Sequence, residues 1–593
     1  MTARQGDRRP QALLVAASAL ALVILIAIAF WPALSAGFVS DDFLILQRLA
    51  EHGGLQHPAA YFGLRHFEYY RPLAFLSLAA DWQFWARSAA GYHATALLLH
   101  AANTLFVFVL ARRLMKPSAA LAAAALFAVH PSGHEAAIWV SSRFDLMATA
   151  WLLLGLIVLR RTAWLADAMA ALAFFAAVLS KESALALPVV AAAYIVLRQQ
   201  ASGRRLLVQL LLFAAAGAAY SFLRQGAGLP SMGGAARWPK LATLGVLVAA
   251  LAVLARFGRT RVWQAIDARR GLVVAAAATG VAAIGLLAWF GPASAAVRGA
   301  LMSVGFAFAH LLSPVSLDRL VGTLPPGMAA VGWAALALCV AAGALGWRRI
   351  GAAPDVVFLL VFLVAALVPV SSMTEGTRYL YLATVPAAML AGMALDALSG
   401  HRFTAAAAAI VILLAVNTWQ VRAKAADWCW ASDMTAASAD LIATSIGPRC
   451  ADRDVVLLTA PVRVRGVYSN LNLESLAWLR DCAPASLRTV VRLGVTDAAI
   501  DARWAGRDAV EFTARHYGGG FVTSRDWRSF DTRLSPDAPT RIPAPLGVFD
   551  AAAAGPDLAM RLTFDDAAAA ARISWFFYSD GAVRALPALA AVR

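Results

Sequence analysis

Apolar runs of about 20 residues recur from Leu13 to Thr418, each long enough to cross a hydrocarbon core as a helix. Nothing else in the chain restricts its fold as strongly. Inside a bilayer only helices and closed barrels satisfy the backbone, and these runs lack the alternation of barrel strands. Hydrophobic residues make up 61% of the chain and charged residues 14%, against roughly 45–50% and about 25% in soluble domains. The expectation is an all-α polytopic membrane protein over most of the length. The first run, Leu13–Leu34, is too long for a signal-peptide core and is followed by many more. It is expected to be retained as a helix, despite the small residues of Ala33–Gly37.

A formal charge of +17 would suit a nucleic-acid binder, but the placement of the charges argues against one. Lys and Arg gather in short turns between apolar runs: Arg4/Arg8/Arg9, Arg112/Arg113/Lys116, Arg160/Arg161, Arg198/Arg204/Arg205, Arg256/Arg259/Arg261/Arg269/Arg270 and Arg348/Arg349. That is the positive-inside pattern of cytoplasmic turns, and the intervening turns hold the acids and histidines. Candidate spans are 12–34, 93–111, 118–131, 146–160, 163–179, 183–198, 206–224, 241–257, 271–290, 328–346, 355–371, 379–397 and 403–419. About 13 spans put the N-terminus in the cytoplasm and the C-terminal segment on the opposite side. The run 298–312 is expected along the outer surface, since counting it as a span would flip every later helix.

Two outer segments are long. Residues 35–92 mix aromatics with charge and are expected to hold amphipathic helices on the membrane surface. From about Gln420 the composition shifts to Asp, Arg, Pro and Gly, with β-like runs Val455–Leu458, Thr489–Leu493, Ala509–Thr513, Ala559–Phe564 and Ile573–Tyr578. These predict a soluble α+β domain of about 170 residues. Gly518-Gly519-Gly520 reads as a turn, because no helix pattern follows it. No fixed-period repeat is present, and the alanine runs read as compositional bias. Four cysteines are too few for a disulfide framework; one bridge, Cys450–Cys482, is expected in an oxidising outer domain.

Polar clusters fall at the outer helix ends. Asp41 and Asp42 follow the first span within Phe38-Val39-Ser40-Asp41-Asp42-Phe43-Leu44. Adjacent carboxylates at the mouth of a membrane helix are costly unless they face water, a partner or a substrate. The plainer alternative is that Ser40 and Asp41 cap a short helix, Phe43–Leu49. Glu68-Tyr69-Tyr70-Arg71-Pro72-Leu73 places Tyr70 and Arg71 before a helix start; Arg71 either snorkels to headgroups or binds an anion. His130-Pro131-Ser132-Gly133-His134-Glu135, continuing to Arg143 and Asp145, suits a re-entrant hairpin. Pro131 and Gly133 break the helix that would align two His as metal ligands, which argues against a zinc site here. Ser180-Lys181-Glu182-Ser183 is a tight turn in which Ser180 caps or Lys181 holds an anion. Glu375-Gly376-Thr377-Arg378-Tyr379-Leu380-Tyr381 again sets a cation among aromatics.

Taken together, Arg71, Arg143, Lys181 and Arg378 stand against Asp41, Asp42 and Glu135 on one face. A carboxylate can take the proton of an attacking hydroxyl, while Arg and Lys hold a phosphate and stabilise its growing charge. Such a face suits group transfer from a lipid phosphate. With no P-loop or dinucleotide fingerprint in the sequence, the donor need not be a nucleotide.

This ordered set, with YYRPLAFLSLAADWQFW, GYHATALLLHAANTLFVFVLARRL, HPSGHEAAIWVSSRFDL, SKESALALP and EGTRYLYL, resembles the polytopic glycosyltransferases of the GT-C superfamily. It is most similar to bacterial relatives of the tetratricopeptide-containing O-mannosyltransferases, kin to the protein O-mannosyltransferases, over roughly residues 12–420. The resemblance implies a GT-C-like transmembrane domain, 1–420, with 35–92 as its first periplasmic loop, and a periplasmic α+β domain, 421–593. It implies an inverting transferase of a bacterial inner membrane, working on the periplasmic side. The sugar would pass from a polyprenyl-phosphate carrier to a hydroxyl acceptor: a cell-surface glycan, a lipid or a secreted protein. Asp41 matches the first acid of the family's pair and is the favoured base, with Asp42 orienting the acceptor or holding a cation. Arg71, Lys181 and Arg378 fall in donor-phosphate stretches; His134, Glu135, Arg143 and Tyr70 are acceptor or supporting candidates. No cofactor is implied. The chain departs from the family in lacking a tetratricopeptide array after the last span, which puts the protein-acceptor role in doubt. Two other readings stay open: a glycan polymerase or ligase using diphosphate-linked oligosaccharides, and a lipid or solute transporter, although the paired halves of a transporter are not evident.

Overall fold

The computed structural model describes residues 8–63, 69–160, 163–199, 203–229, 295–313, 329–337, 353–368, 376–398, 400–447, 454–461, 463–465, 467–468, 486–493, 499–515, 521–523, 532–534, 540–544, 547–554, 557–579 and 582–587. The chain forms two compact units: Met1–Leu34 with Gly54–Ala425, and Ser35–Gly53 with Ala426–Arg593. The outer segment 35–92 is thus divided between them. The unit boundary falls inside one helix, Gly400–Ile446, which continues well past the expected span end at residue 419.

Among the described residues, six helices are long and apolar enough to cross a membrane: Ala12–Ser35, Ala89–Ala111, Val140–Val158, Gly203–Gly226, Thr377–Asp396 and Gly400–Ile446. Four shorter apolar helices accompany them: Pro117–Ala128, Trp164–Val178, Leu301–Leu312 and Pro354–Leu367. The expected span 118–131 is a helix of 12 residues, Pro117–Ala128. At about 1.5 Å per residue that is only about 18 Å, short of a hydrocarbon core of about 30 Å. The expected span 183–198 is not one helix either. It runs as a 3₁₀ turn, Glu182–Ala186, an α-helix, Leu187–Ala193, and a π turn, Tyr194–Arg198. The expected spans 241–257 and 271–290, most of 328–346, Cys339, Cys450, Cys482 and the triple glycine 518–520 lie outside the described residues. Residues 298–312 fall in the helix Ala295–Leu312.

Small side chains set the helix packing of the first unit. Ala119, Ala120, Ala123 and Ala124 on Pro117–Ala128 are all buried, facing Tyr381–Asp396 at Gly392. A Cβ there would meet the Ala119 carbonyl and the Ala123 Cβ at 2.8 Å each. The alanine richness therefore serves close helix approach, the usual way to gain van der Waals contact where lipid removes the hydrophobic drive. A buried polar knot joins four helices. The Ala128 carbonyl can only accept, so His100 Nε2–H donates to it (2.9 Å), leaving Nδ1 to the Tyr381 hydroxyl (2.7 Å). Asn103 Nδ2 donates to the Leu146 carbonyl (3.0 Å) and the Tyr381 oxygen (3.2 Å).

In the second unit all five predicted β-runs lie in strands: Asp454–Pro461, Ser486–Leu493, Ala509–Ala514, Asp557–Phe564 and Ile573–Ser579. A six-stranded sheet runs Ala582–Ala585, Ile573–Ser579, Asp454–Pro461, Ser486–Leu493, Phe521–Thr523, Thr532–Leu534, with Asp454–Pro461 parallel to both neighbours. A five-stranded antiparallel sheet runs Ile500–Trp504, Ala509–Ala514, Asp557–Phe564, Gly547–Ala554, Thr540–Ala544. Period-2 alternation divides the central strand between two interiors. Val456 and Leu458 join Trp575 and Phe577 in the core shared with Val510, Phe512, Leu558 and Leu562 of the second sheet. Val455, Leu457 and Phe576 face the other way, sharing a buried cluster with Phe43, Ala439, Ile442 and Ile446.

Across the antiparallel sheet, Arg503, Glu511, Arg561, Asp550 and Arg541 are directly opposed in successive strand registers. Their ion pairs are 3.2, 2.9 and 3.7 Å for Arg503–Glu511, Arg561–Glu511 and Arg541–Asp550. Glu511→Lys places three cations in a row and is expected to cost this sheet about 1 kcal/mol. Faster hydrogen exchange in Ala509–Ala514 and Asp557–Phe564 is the readout; unchanged protection would count against the ladder.

Candidate active site

Four chain segments at helix ends of the first unit supply the site. The first leads into helix Pro72–Trp85, where Pro72 suits the first turn and needs no N–H acceptor. The Leu73 N–H donates to the Leu179 carbonyl (3.2 Å), tying this segment to the turn after helix Trp164–Val178. The second is the His130–Arg143 stretch, a set of short helical pieces, Pro131–Gly133, His134–Ile138 and Val140–Ser142. The third is Ser180–Ser183, and the fourth the 3₁₀ turn Thr377–Leu380.

Each of Arg71, Lys181 and Arg378 is paired with a different carboxylate. Arg71 places Nε and a terminal nitrogen on Glu182 Oε2 at 3.0 and 2.8 Å, with its guanidinium over the rings of Tyr69 (4.3 Å) and Phe144 (4.9 Å). Lys181 Nζ donates to Asp145 Oδ1 and lies 4.7 Å over the Tyr379 ring. Arg378 pairs with Glu135 Oε1, while its backbone N–H (2.9 Å) and the Thr377 hydroxyl (3.2 Å) donate to Glu135 Oε2. Its guanidinium lies over the rings of Trp139 (4.6 Å) and Tyr379 (4.4 Å). Arg224 reaches Glu182 Oε1 at 3.7 Å.

The side chains of Arg71, Lys181 and Arg378 are only 11%, 7% and 17% exposed, so their field is weakly screened by water. Burial pulls the Lys181 ammonium down, Asp145 opposes it, and Arg71 and Arg378 add to the fall; it titrates at about 8. Burial resists the charge on Glu182, but Arg71, then Arg224, hold its carboxyl below the usual range. Arg71, Arg224, Lys181 and Arg378 against Glu182, Asp145 and Glu135 leave these named groups one positive charge in excess. An anion with several oxygens suits that excess, since Arg presents paired donors and Lys a compact charge.

The structure thus brings Arg71, Lys181, Arg378 and Glu135 together. Arg143 is instead fully buried, donating to Asp81 Oδ2 (2.6 Å), the Ser77 hydroxyl (3.1 Å) and the Tyr92 carbonyl (3.0 Å). It clamps helices Pro72–Trp85 and Ala89–Ala111 to Arg143–Val158. Asp81→Ala would leave that guanidinium without its counter-ion, and a loss of about 3–5 kcal/mol is expected. A thermal unfolding midpoint equal to wild type in detergent would contradict the clamp. Tyr70 is also structural: its hydroxyl donates to the Phe62 carbonyl (2.9 Å) and its ring packs on Tyr220. His134 Nδ1 donates to the Pro131 carbonyl (2.6 Å), fixing the hairpin. His130 Nε2 and the Ser132 hydroxyl donate to the Leu311 and His310 carbonyls, at 3.3 Å each. Among the described residues, no three His, Cys, Asp or Glu side chains gather where a metal would sit.

Asp41 and Asp42 belong to the second unit. The helix there is Asp41–Glu51, longer than the expected Phe43–Leu49, with both acids in its first turn, where the helix dipole favours negative charge. Ser40 makes no side-chain cap and has φ of 54°. Asp42 is buried, its Oδ2 accepting the Val39 N–H (3.1 Å); Asp41 is half-buried. Glu182 and Asp145 were visible beside the motif cations, but Arg224 and Asp81 lie inside apolar runs with no local pattern to mark them.

The apolar helices define a multi-pass membrane protein, with buried cations and carboxylates clustered at its helix ends. The comparisons add a class. A stretch of 122 residues is 36% identical to the protein O-mannosyl-transferase Tmtc1 of Drosophila melanogaster, covering 20% of this chain and 14% of that protein. The chain is therefore similar to a glycosyltransferase, over a small part of that relative's length. Among solved structures, an oligosaccharyltransferase of Archaeoglobus fulgidus, tethered to an acceptor peptide, overlaps with a TM-score of 0.41 and 12% identity, covering 81% of this chain and 64% of that one. An overlap this partial carries no argument about mechanism. No family model matches the chain.

Proposed function

We propose that this protein is a membrane glycosyltransferase that moves a sugar from a polyprenyl-phosphate carrier to a hydroxyl acceptor on the periplasmic side of a bacterial inner membrane. The observation that carries the reading is a nearly buried gathering of cations, with Lys181 and Arg378 over the Tyr379 ring and Arg71 over the rings of Tyr69 and Phe144. The similarity to an O-mannosyl-transferase supports sugar transfer as the reaction.

In the step proposed, a carboxylate of the Asp41/Asp42 pair takes the proton of the acceptor hydroxyl. The acceptor oxygen bonds to the anomeric carbon from the face opposite the carrier, the bond from that carbon to the phosphate oxygen breaks, and the carrier phosphate leaves with the electron pair. Configuration inverts. Arg71, Lys181 and Arg378 hold the phosphate and stabilise the charge that grows on it. Asp41 is the base, because it is half-buried and more open to an incoming hydroxyl than the buried Asp42. The test is incubation of purified protein with a panel of radiolabelled polyprenyl-phosphate sugars and a membrane extract. Transfer that is abolished in Asp41→Asn supports the reading, and full activity in Asp41→Asn, Asp42→Asn and the double variant removes it.

A further inference from the structure

The helix that carries the acidic pair is mounted on the β-containing domain at the other end of the sequence. Phe43, two residues after Asp41, is 3% exposed and sits in one apolar cluster with Ala439, Ile442 and Ile446 of the helix Gly400–Ile446 and with Val455, Leu457 and Phe576 of the six-stranded sheet. The lead-in is held as well. The Gly37 N–H donates to the Ser432 hydroxyl (2.8 Å), which itself donates to the Cys429 carbonyl (2.8 Å). A Cβ at residue 37 would meet the Ser432 Cβ at 3.1 Å, a close approach that glycine leaves open. Between the two anchors Ser40, fully buried, takes a positive φ of 54° that a residue with a side chain rarely adopts. Such strain persists where the surroundings over-determine the backbone. Here Gly37 is fixed on one side and Phe43 on the other.

We infer that residues 426–593 are a positioning scaffold for the carboxylate pair, and that Phe43 is the positioning residue through which the sheet sets the direction of Asp41. Resting on the assignment of Asp41 as base, this gives the β-containing domain a part in turnover. Phe43 touches no substrate in this account. It fixes the rotation and height of the first helical turn, and a displacement of about 1 Å in a reacting group can cost about 100-fold.

The test uses the full-length protein in detergent or liposomes. Phe43→Ala is expected to lower kcat about 100-fold with the donor KM unchanged, and Phe43→Leu, which refills the pocket, to restore most of it. In an Asp41→Asn background Phe43→Ala is expected to remove nothing further, because the group it positions is gone; a merely structural defect would lower the residual rate again. Should Phe43→Ala fail to fold, Ser432→Ala replaces it, with an expected loss in kcat of about 10-fold and the same non-additivity. A folded Phe43→Ala, or Ser432→Ala in its stead, with wild-type kcat beside an inactive Asp41→Asn overturns the positioning role alone. An active Asp41→Asn removes the base assignment, and this inference with it.

Discussion

Asp41→Asn is expected to lower turnover by about 10²–10⁴-fold while leaving donor binding intact. The amide keeps the size and the hydrogen-bonding reach of the carboxylate but cannot accept the acceptor's proton at neutral pH. Binding of the carrier depends on the cations, so KM for the donor should barely move, and a fall confined to kcat marks an interaction made only in the transition state. Asp42→Asn has a different signature. Its carboxylate holds the Val39 N–H from a buried position, so its loss should lower thermal stability as well as rate. Single-turnover measurements with preloaded donor separate the two. A donor KM that rises in step with the fall in kcat for Asp41→Asn would place that residue in binding rather than proton transfer.

Removing the central cation should abolish donor capture. Lys181→Met alone would strip Asp145 of its counter-ion inside the protein, so the informative variant is Lys181→Met with Asp145→Asn, which leaves the net charge of the site unchanged. A loss of about 10²–10³-fold in kcat/KM is expected, the usual consequence of deleting one charged donor to a developing oxyanion. The same residue gives a pH signature. Lys181 is pulled below the usual lysine range to about 8 by burial, opposed by Asp145 and reinforced by Arg71 and Arg378. Below that pH the ammonium is charged and attracts the phosphate; above it the charge is lost, so the donor KM should rise as pH climbs through about 8. Lys181→Arg, charged at every accessible pH, should flatten the profile. A donor KM independent of pH from 7 to 9 in the wild-type protein would contradict this role for Lys181.

The fold was legible where a local signal coincided with the global answer. Long apolar runs announced the membrane helices, and short β-like runs announced strands such as Ile573–Ser579. Gly547–Ala554 was not legible: its run of alanines favours a helix, yet pairing with Asp557–Phe564 and Thr540–Ala544 makes it a strand. The span 183–198 was misjudged because apolar length does not report helix type, and the π turn Tyr194–Arg198 leaves no mark in composition. At the site, the motif cations Arg71, Lys181 and Arg378 could be named because charge at helix ends is conspicuous. Their partners were harder to see. Asp145 and Glu182 were in plain view but nothing local says which acid meets which base, and Arg224 lies at the end of an apolar helix, where only folding brings it to Glu182. Arg143 was grouped with the site cations by sequence position, whereas packing gives it to Asp81. The dependence of Phe43 on residues some 400 positions later in the chain has no signature in sequence at all.

Equilibrium binding of a radiolabelled polyprenyl-phosphate sugar to the purified protein probes the phosphate grip most directly. Saturable binding by the wild-type protein, kept in Asp41→Asn and lost in Lys181→Met/Asp145→Asn, is the predicted result. Equal binding by the wild-type and Lys181→Met/Asp145→Asn proteins, or no binding of any carrier in the panel, would contradict it.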